Sequence, residues 1–197
     1  MSAAVRHDFE AIAAWIKPGS RVLDLGCGDG DLLAYLEEGR QIKGYGVEIT
    51  SEGVLASVKR GINVLQMNLE DGLSIFETAS FDQVILSRTL QAMHNTEGIL
   101  QEMLRVGREG IVTFPNFGYW RNRIQVLAGR MPVSEEIPYQ WYDTPNIHLC
   151  TLNDFEELCK EVGARVLQRV VMAEGRDVSM LPNLLGSLAV YRFEKEV

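Results

Sequence analysis

The chain has 197 residues, 46% hydrophobic and 23% charged, with a formal net charge of −8. That length suits one domain spanning 1–197, the hydrophobic content excludes a disordered chain, and no apolar run reaches the roughly 18 residues of a membrane span. The acidic balance argues against a nucleic-acid partner, and three cysteines without a Cys-x-x-Cys pair suggest a reduced, cytoplasmic protein with neither disulfides nor a metal site.

The N-terminal residues Arg6, His7, Asp8 and Glu10 interrupt any apolar leader, so no secretory signal is expected. Val5, Phe9, Ile12 and Ile16 recur at helical spacing and stop at Lys17-Pro18-Gly19-Ser20. Arg21–Leu25 reads as a buried strand and Asp31–Glu38 as a helix. Gly44–Ile49 is a second strand, and Thr50 or Ser51 caps a helix that runs to Arg60. Strands follow at Ile62–Met67, Phe81–Ser87 and Gly110–Phe114, with a helix carrying Ile99, Met103 and Val106 before the last of these. Leu152–Val162 reads as a helix, and Arg165–Met172 and Ser187–Glu194 as two strands without a crossover helix between them. Strands alternating with helices imply a parallel sheet with helices on both faces. The last two strands should be antiparallel. The expected fold is therefore α/β and Rossmann-like, with a mostly parallel seven-stranded sheet ending in an antiparallel strand pair.

The densest chemical signal is Val22-Leu23-Asp24-Leu25-Gly26-Cys27-Gly28-Asp29-Gly30. Glycines between a strand and a helix let the backbone turn sharply and bring unpaired helix N–H groups to a ligand. Eighteen residues after Gly30, Glu48 ends the next strand, where a carboxylate can accept from both hydroxyls of a ribose. A dinucleotide loop would want a glycine at position 31, which is Asp31, and Asp24 would repel a pyrophosphate. A ligand with an ammonium group and a sulfonium centre would be attracted instead. S-adenosylmethionine, or S-adenosylhomocysteine, therefore fits the loop better than a nicotinamide dinucleotide. Cys27 and Ile49 flank these positions, Asn68 and Leu69 follow the third strand, and Ser87 ends the fourth at the crevice edge. All ten residues, Asp24, Gly26, Cys27, Gly28, Gly30, Glu48, Ile49, Asn68, Leu69 and Ser87, are candidates for cofactor binding. Cys27 reads as a small residue in a glycine turn rather than a nucleophile.

The cofactor motif and Phe81–Ser87 look like the class I S-adenosylmethionine-dependent methyltransferase fold. Narrower words are Gln91-Ala92-Met93, Phe114-Pro115-Asn116-Phe117-Gly118-Tyr119-Trp120 and the segment Pro138–Thr151. Together they resemble the methionine-biosynthesis protein MetW family across essentially the whole chain. The resemblance implies a role in methionine biosynthesis beside a homoserine O-acyltransferase of the MetX type, with direct association as the mode of support. It carries Asp24, Gly26, Gly28, Gly30 and Glu48 over as the cofactor motif. Asn68 departs from the aspartate common at that point in class I methyltransferases, and Gln91-Ala92 replaces a frequent Glu-His. The alternative is methyl transfer to a small metabolite, for which His148, Tyr142 and Asp143 are the candidate catalytic groups.

Gly110–Ser134 has no acidic residue but contains Arg121, Arg123 and Arg130. With Trp120, Ile124 and Leu127 facing inward, those arginines would line a solvated flank or dock an acidic partner. Residues 130–150 hold three of the six prolines together with Tyr139, Trp141 and Tyr142. That composition suits a semi-rigid lid or a protein contact. Tyr119, Trp120, Arg121, Arg123, Arg130, Tyr139 and Trp141 are the candidate partner or substrate surface.

Overall fold

The structure, a computed structural model, describes residues 6–196. Val5, which the spacing assigns to the first helix, lies outside the described residues, as does the start of the segment searched for a leader. In chain order the elements are α1 (His7–Trp15), β1 (Arg21–Leu25), α2 (Asp31–Arg40), β2 (Lys43–Glu48), α3 (Ser51–Lys59), β3 (Asn63–Gln66), β4 (Phe81–Ser87), α4 (Thr96–Val106) and β5 (Gly107–Pro115). The second half adds α5 (Trp120–Leu127), α6 (Leu152–Glu161), β6 (Ala164–Ala173), β7 (Arg176–Asp177), α7 (Pro182–Leu185) and β8 (Leu188–Lys195).

One sheet runs in the order β3-β2-β1-β4-β5-β8-β6-β7. The first five strands pair in parallel, and β8 inserts antiparallel between β5 and β6. The expected seven strands become eight because Arg176–Asp177 folds back onto Met172–Ala173. The two residues of that turn, Glu174 and Gly175, both have positive φ (50° and 71°). Two positive-φ residues form the kind of hairpin turn whose twist matches its strands. A glutamate in the left-handed region is not a signal that composition offers, so the turn reads as plain loop in sequence.

Side chains alternate between two apolar layers. Leu23, Leu25, Val84, Leu86, Val112 and Phe114 face α4 and α6, while Val22, Ile85, Ile111 and Val190 face α1 and α2. Successive strand residues point to opposite faces, so burial on both sides produces the near-continuous Val/Ile/Leu runs. Met103 is fully buried between helix and sheet, as a flexible gap-filler. The antiparallel end is held by Phe155 of α6, whose ring centroid lies 4.7 Å from that of Tyr191 and 4.9 Å from that of Phe114. Gly110 stands opposite Phe193 in the β5–β8 register, where a Cβ would sit 2.4 Å from the ring. Thr151 and Asp154 start α6 with a reciprocal capping box. Among the described residues, no helix is long and apolar enough to cross a membrane.

Phe155 is 1% exposed, and truncating a buried aromatic leaves a cavity that the surrounding structure fills only in part. Phe155→Ala should destabilise the protein by about 3–5 kcal/mol in chemical denaturation, through loss of the α6–β8 packing.

Candidate functional site

The parallel half of the sheet sets where ligands can approach. In an open α/β sheet that place is the crevice beyond the carboxyl ends of the strands, where connections diverge to opposite faces. Here β1 lies between β2 and β4, so the loops after these strands diverge at that edge.

The β1–α2 loop turns through Gly26, Gly28 and Gly30, with φ values of 73°, 56° and 79°. Side chains resist that region, and at Gly26 a Cβ would also lie 2.8 Å from Thr89 Oγ1. The loop is anchored by Gly26 N–H and Cys27 N–H, which both donate to Val47 O. Asp29 and Asp31, at the mouth of α2, are held by Arg60 from the end of α3. Cys27 packs inside the turn with Sγ 3.8 Å from Ser57 Oγ, and burial pushes its thiol up to about 11. A thiol that holds its proton so firmly is not a nucleophile.

Beyond the loop lies a cavity of about 440 Å³, within the size range of small-molecule sites. Of the predicted residues, Gly26, Glu48, Ile49, Asn68 and Leu69 line it. Asp24, Cys27, Gly28 and Gly30 form the strand end and turn behind it. Ser87 is turned toward β5, with its Oγ 3.1 Å from Thr113 Oγ1. The far wall, formed by Met67, Glu70, Thr89, Ala92, Met93 and His94, holds none of the ten residues singled out above, although Glu70 follows Asn68 and Leu69 in the same stretch after the third strand. That wall is built by long-range hydrogen bonds: Glu70 accepts from His94 N–H (2.7 Å) and Asn95 N–H (3.4 Å). No local spacing marks residues brought together across 24 positions of chain.

Two carboxylates dominate the site's electrostatics. Glu48 accepts from Gly28 N–H at 3.0 Å and from both Thr50 N–H and Thr50 Oγ1–H at 2.8 Å, which fixes its orientation at the cavity edge. Asp24 is different. It sits in the middle of the sheet between Gly46 and Ile85, 2% exposed, and among the described residues its Oδ1 has no hydrogen-bond partner. Burial, reinforced by the Glu48 charge, pushes its carboxyl up to about 8. An unpaired buried acid is costly, and perturbed acids of this kind cluster at functional sites. An S-adenosyl ligand fits this set: its ammonium would neutralise Asp24, and its ribose hydroxyls would meet the oriented Glu48.

The candidate catalytic residues Tyr142, Asp143 and His148 are all exposed and line none of the described cavities. The backbone around His148 is nevertheless tied to the site, because Ile147 N–H and His148 N–H both donate to Gln91 O (2.8 and 2.9 Å).

The arrangement of α5 corrects the expected one. Trp120, Ile124 and Leu127 face outward, with Leu127 87% exposed, and the buried residue of this helix is Asn122. Asn122 Nδ2–H donates to Asn116 O, so the helix is seated by a polar contact rather than an apolar stripe. Tyr119 is buried. Arg121 pairs with Glu174 at 2.9 Å, and Arg123 donates to Gly118 O at 2.6 Å, leaving Arg130 the freer charge at the helix end. The flank is thus more apolar than basic. Tyr139, Trp141 and Tyr142 are exposed, and within 130–150 only Pro132 and Ile137 are buried. Among the described residues no His/Cys/Asp/Glu group has the geometry of a metal site.

A folded-state carboxyl at about 8 against 3.8 for the free side chain means that the folded state holds the Asp24 proton more tightly. That contribution to stability is complete below the lower value and is lost as pH rises toward the upper one. The free protein should therefore lose stability between about pH 4 and 8, and Asp24→Asn should flatten that slope and raise the melting temperature at pH 8.

Comparison with known proteins agrees with this architecture. A family model described as methionine biosynthesis protein MetW matches residues 6–193. The chain is 38% identical over 203 residues to the bifunctional methionine biosynthesis protein MetXA/MetW of Rhodopirellula baltica, covering 96% of this chain and 33% of that relative. The chain thus corresponds to about a third of that fused protein. Among solved structures it is similar to a SAM-dependent methyltransferase, possible histamine N-methyltransferase, from Thermotoga maritima, with TM-score 0.68 and 20% identity over 96% of this chain and 88% of the other. It is also similar to magnesium protoporphyrin IX methyltransferase from Synechocystis with bound S-adenosylhomocysteine, with TM-score 0.66 and 17% identity over 95% and 81%. These likenesses give the fold as that of the class I SAM-dependent methyltransferases. The match over nearly the whole chain, with the fused relative beside it, makes this protein a member of the MetW family of methionine biosynthesis.

Proposed function

We propose that the protein binds S-adenosylmethionine or S-adenosylhomocysteine in the crevice beyond β1 and β2, and that it supports a MetX-type homoserine O-acyltransferase in the cytoplasm by direct association. The observation that carries the ligand half is Asp24: a buried acid with an orphaned oxygen is stabilised by a ligand that brings a positive charge to it. The partner half rests on the relative in which a MetXA unit and a MetW unit share one chain. The outward face of α5 supplies the contact, since exposed large apolar groups in a patch mark protein interaction sites. Linkage then makes the two halves reciprocal: if the nucleoside changes affinity for the acyltransferase, the acyltransferase changes affinity for the nucleoside by the same factor.

Two experiments test the two halves. Near pH 7 free Asp24 is mostly protonated and the ligand's α-amino group mostly charged, so forming the ion pair expels a proton. Calorimetry of S-adenosylhomocysteine in buffers of different ionisation enthalpy should record release of close to one proton, and Asp24→Asn should release none. Glu48→Gln should weaken binding by about 1–2 kcal/mol and, by removing a charge that helps hold the Asp24 proton, should lower the proton release without abolishing it. Equal affinity in wild type and both variants would defeat the ligand reading. For the partner, Ile124→Asp and Leu127→Asp stand on exposed positions and should leave the fold intact while abolishing co-purification with the acyltransferase. Retention of the complex by both would move the contact elsewhere.

A further inference from the structure

A second cavity, of about 220 Å³, opens at the same carboxyl edge of the sheet. Its wall includes Arg6, Asp8, Arg88, Glu135, Glu136 and Leu188, drawn from the start of α1, the end of β4, the 130–150 segment and β8. Arg88 directly precedes Thr89, which lines the larger cavity, so the two are neighbours along the chain.

Three features set this cavity apart from a gap in packing. Asp8 is 2% exposed, yet it is held as a charged group: Arg6 Nε–H and Nη2–H donate to it at 3.0 and 2.9 Å, and Arg88 Nε–H at 3.3 Å. Its carboxyl is accordingly held below the usual range, chiefly by the Arg6 hydrogen bonds against the opposing cost of burial. Arg88 reaches this position with φ of 54°, a strained conformation for a residue with a side chain. Its Nη1 pairs with Glu136 at 3.0 Å, so one strained arginine joins α1, β4 and the 130–150 segment. Asp8 is the buried member of this network, while the Arg6 and Arg88 side chains stay 44% and 37% exposed beside the cavity, an arrangement that points to recognition rather than to packing.

The open groups carry both signs. Arg6 Nη1 and Arg88 Nη2 donate to none of the described groups, and neither Glu136 Oε1 nor the Glu135 carboxylate is engaged by any of them. An anion alone would face the glutamates, and a cation alone would face the guanidinium groups. A molecule with a carboxylate and an ammonium a few ångströms apart satisfies both. The cavity is half open, and its volume of about 220 Å³ matches the size of an amino acid. We propose that this cavity is a second ligand site, separate from the nucleoside crevice, and that it takes a small neutral α-amino acid as its zwitterion.

The probes are L-alanine, L-serine and L-methionine, titrated into the full chain at pH 7 and read by NMR chemical-shift changes. At least one should saturate below about 10 mM, and its methyl ester and N-acetyl derivative should each bind at least about tenfold more weakly, since each lacks one charge. Arg88→Gln should weaken the zwitterion by about tenfold or more, and the exposed variant Glu135→Gln by a few-fold with an unchanged fold. S-adenosylhomocysteine titrated into the same variants should bind as in wild type. Saturation by none of the three, equal binding of the ester or the N-acetyl form, or unchanged affinity in both variants would overturn the proposal. Loss of nucleoside binding by wild type would instead count against the first site and leave this one standing.

Discussion

The structure turns on a carboxyl group that the fold buries without a partner. Asp24 lies on the strand between β2 and β4, with apolar layers on both faces of the sheet, and among the described residues its Oδ1 has no hydrogen-bond partner. A folding chain selected for stability alone would place an apolar side chain there, as it does at Leu23 and Leu25 on either side. Under the proposed function, what the acid costs the free protein would be recovered when a cationic ligand arrives, which is how a binding site can store selectivity in its resting state. Glu48 complements it by being fully oriented before any ligand appears, through the donors of Gly28 and Thr50.

The rest of the fold positions those two groups. Parallel strands bring the ends of β1, β2 and β4 to one edge, and the positive-φ glycines let the first loop turn away without a side chain in the crevice. The antiparallel half serves a different end. Its aromatic cluster around Phe155 fixes β8 and β6 beside β5, which carries the hairpin turn at Glu174–Gly175 and the start of β8 to the same edge as Arg88. Two cavities of different size and charge character thus share one edge of one sheet.

Much of this was legible in the residues. β1 and β4 read with their observed bounds, α2, α3 and α6 within a few residues, and α4 through its apolar face alone, because burial on both faces writes uninterrupted apolar runs and the cap of α3 writes Thr50. The glycine loop and Glu48 were legible because turn geometry and hydrogen bonding act over short spacing. What was not legible depends on partners far away in sequence. The Glu70–His94 wall, the Asp8–Arg88 ion network and the seating of α5 by Asn122 all join residues through tertiary contacts. Trp120, Ile124 and Leu127 show the hazard most plainly: their helical spacing reads as a core stripe, yet the helix buries an asparagine and turns the stripe to solvent. An amphipathic pattern specifies that a face will be covered, not by what.

The ionisation of Asp24 itself tests the central claim most directly. Carboxyl carbon signals followed by NMR, with Asp24→Asn used for assignment, would report its titration in the free protein and at saturating S-adenosylmethionine. The account predicts a midpoint of about 8 in the free protein and a carboxylate that stays ionised down to the ordinary acid range once the ligand is bound. An ordinary midpoint near 4 in the free protein, or one that the ligand leaves unmoved, would contradict it.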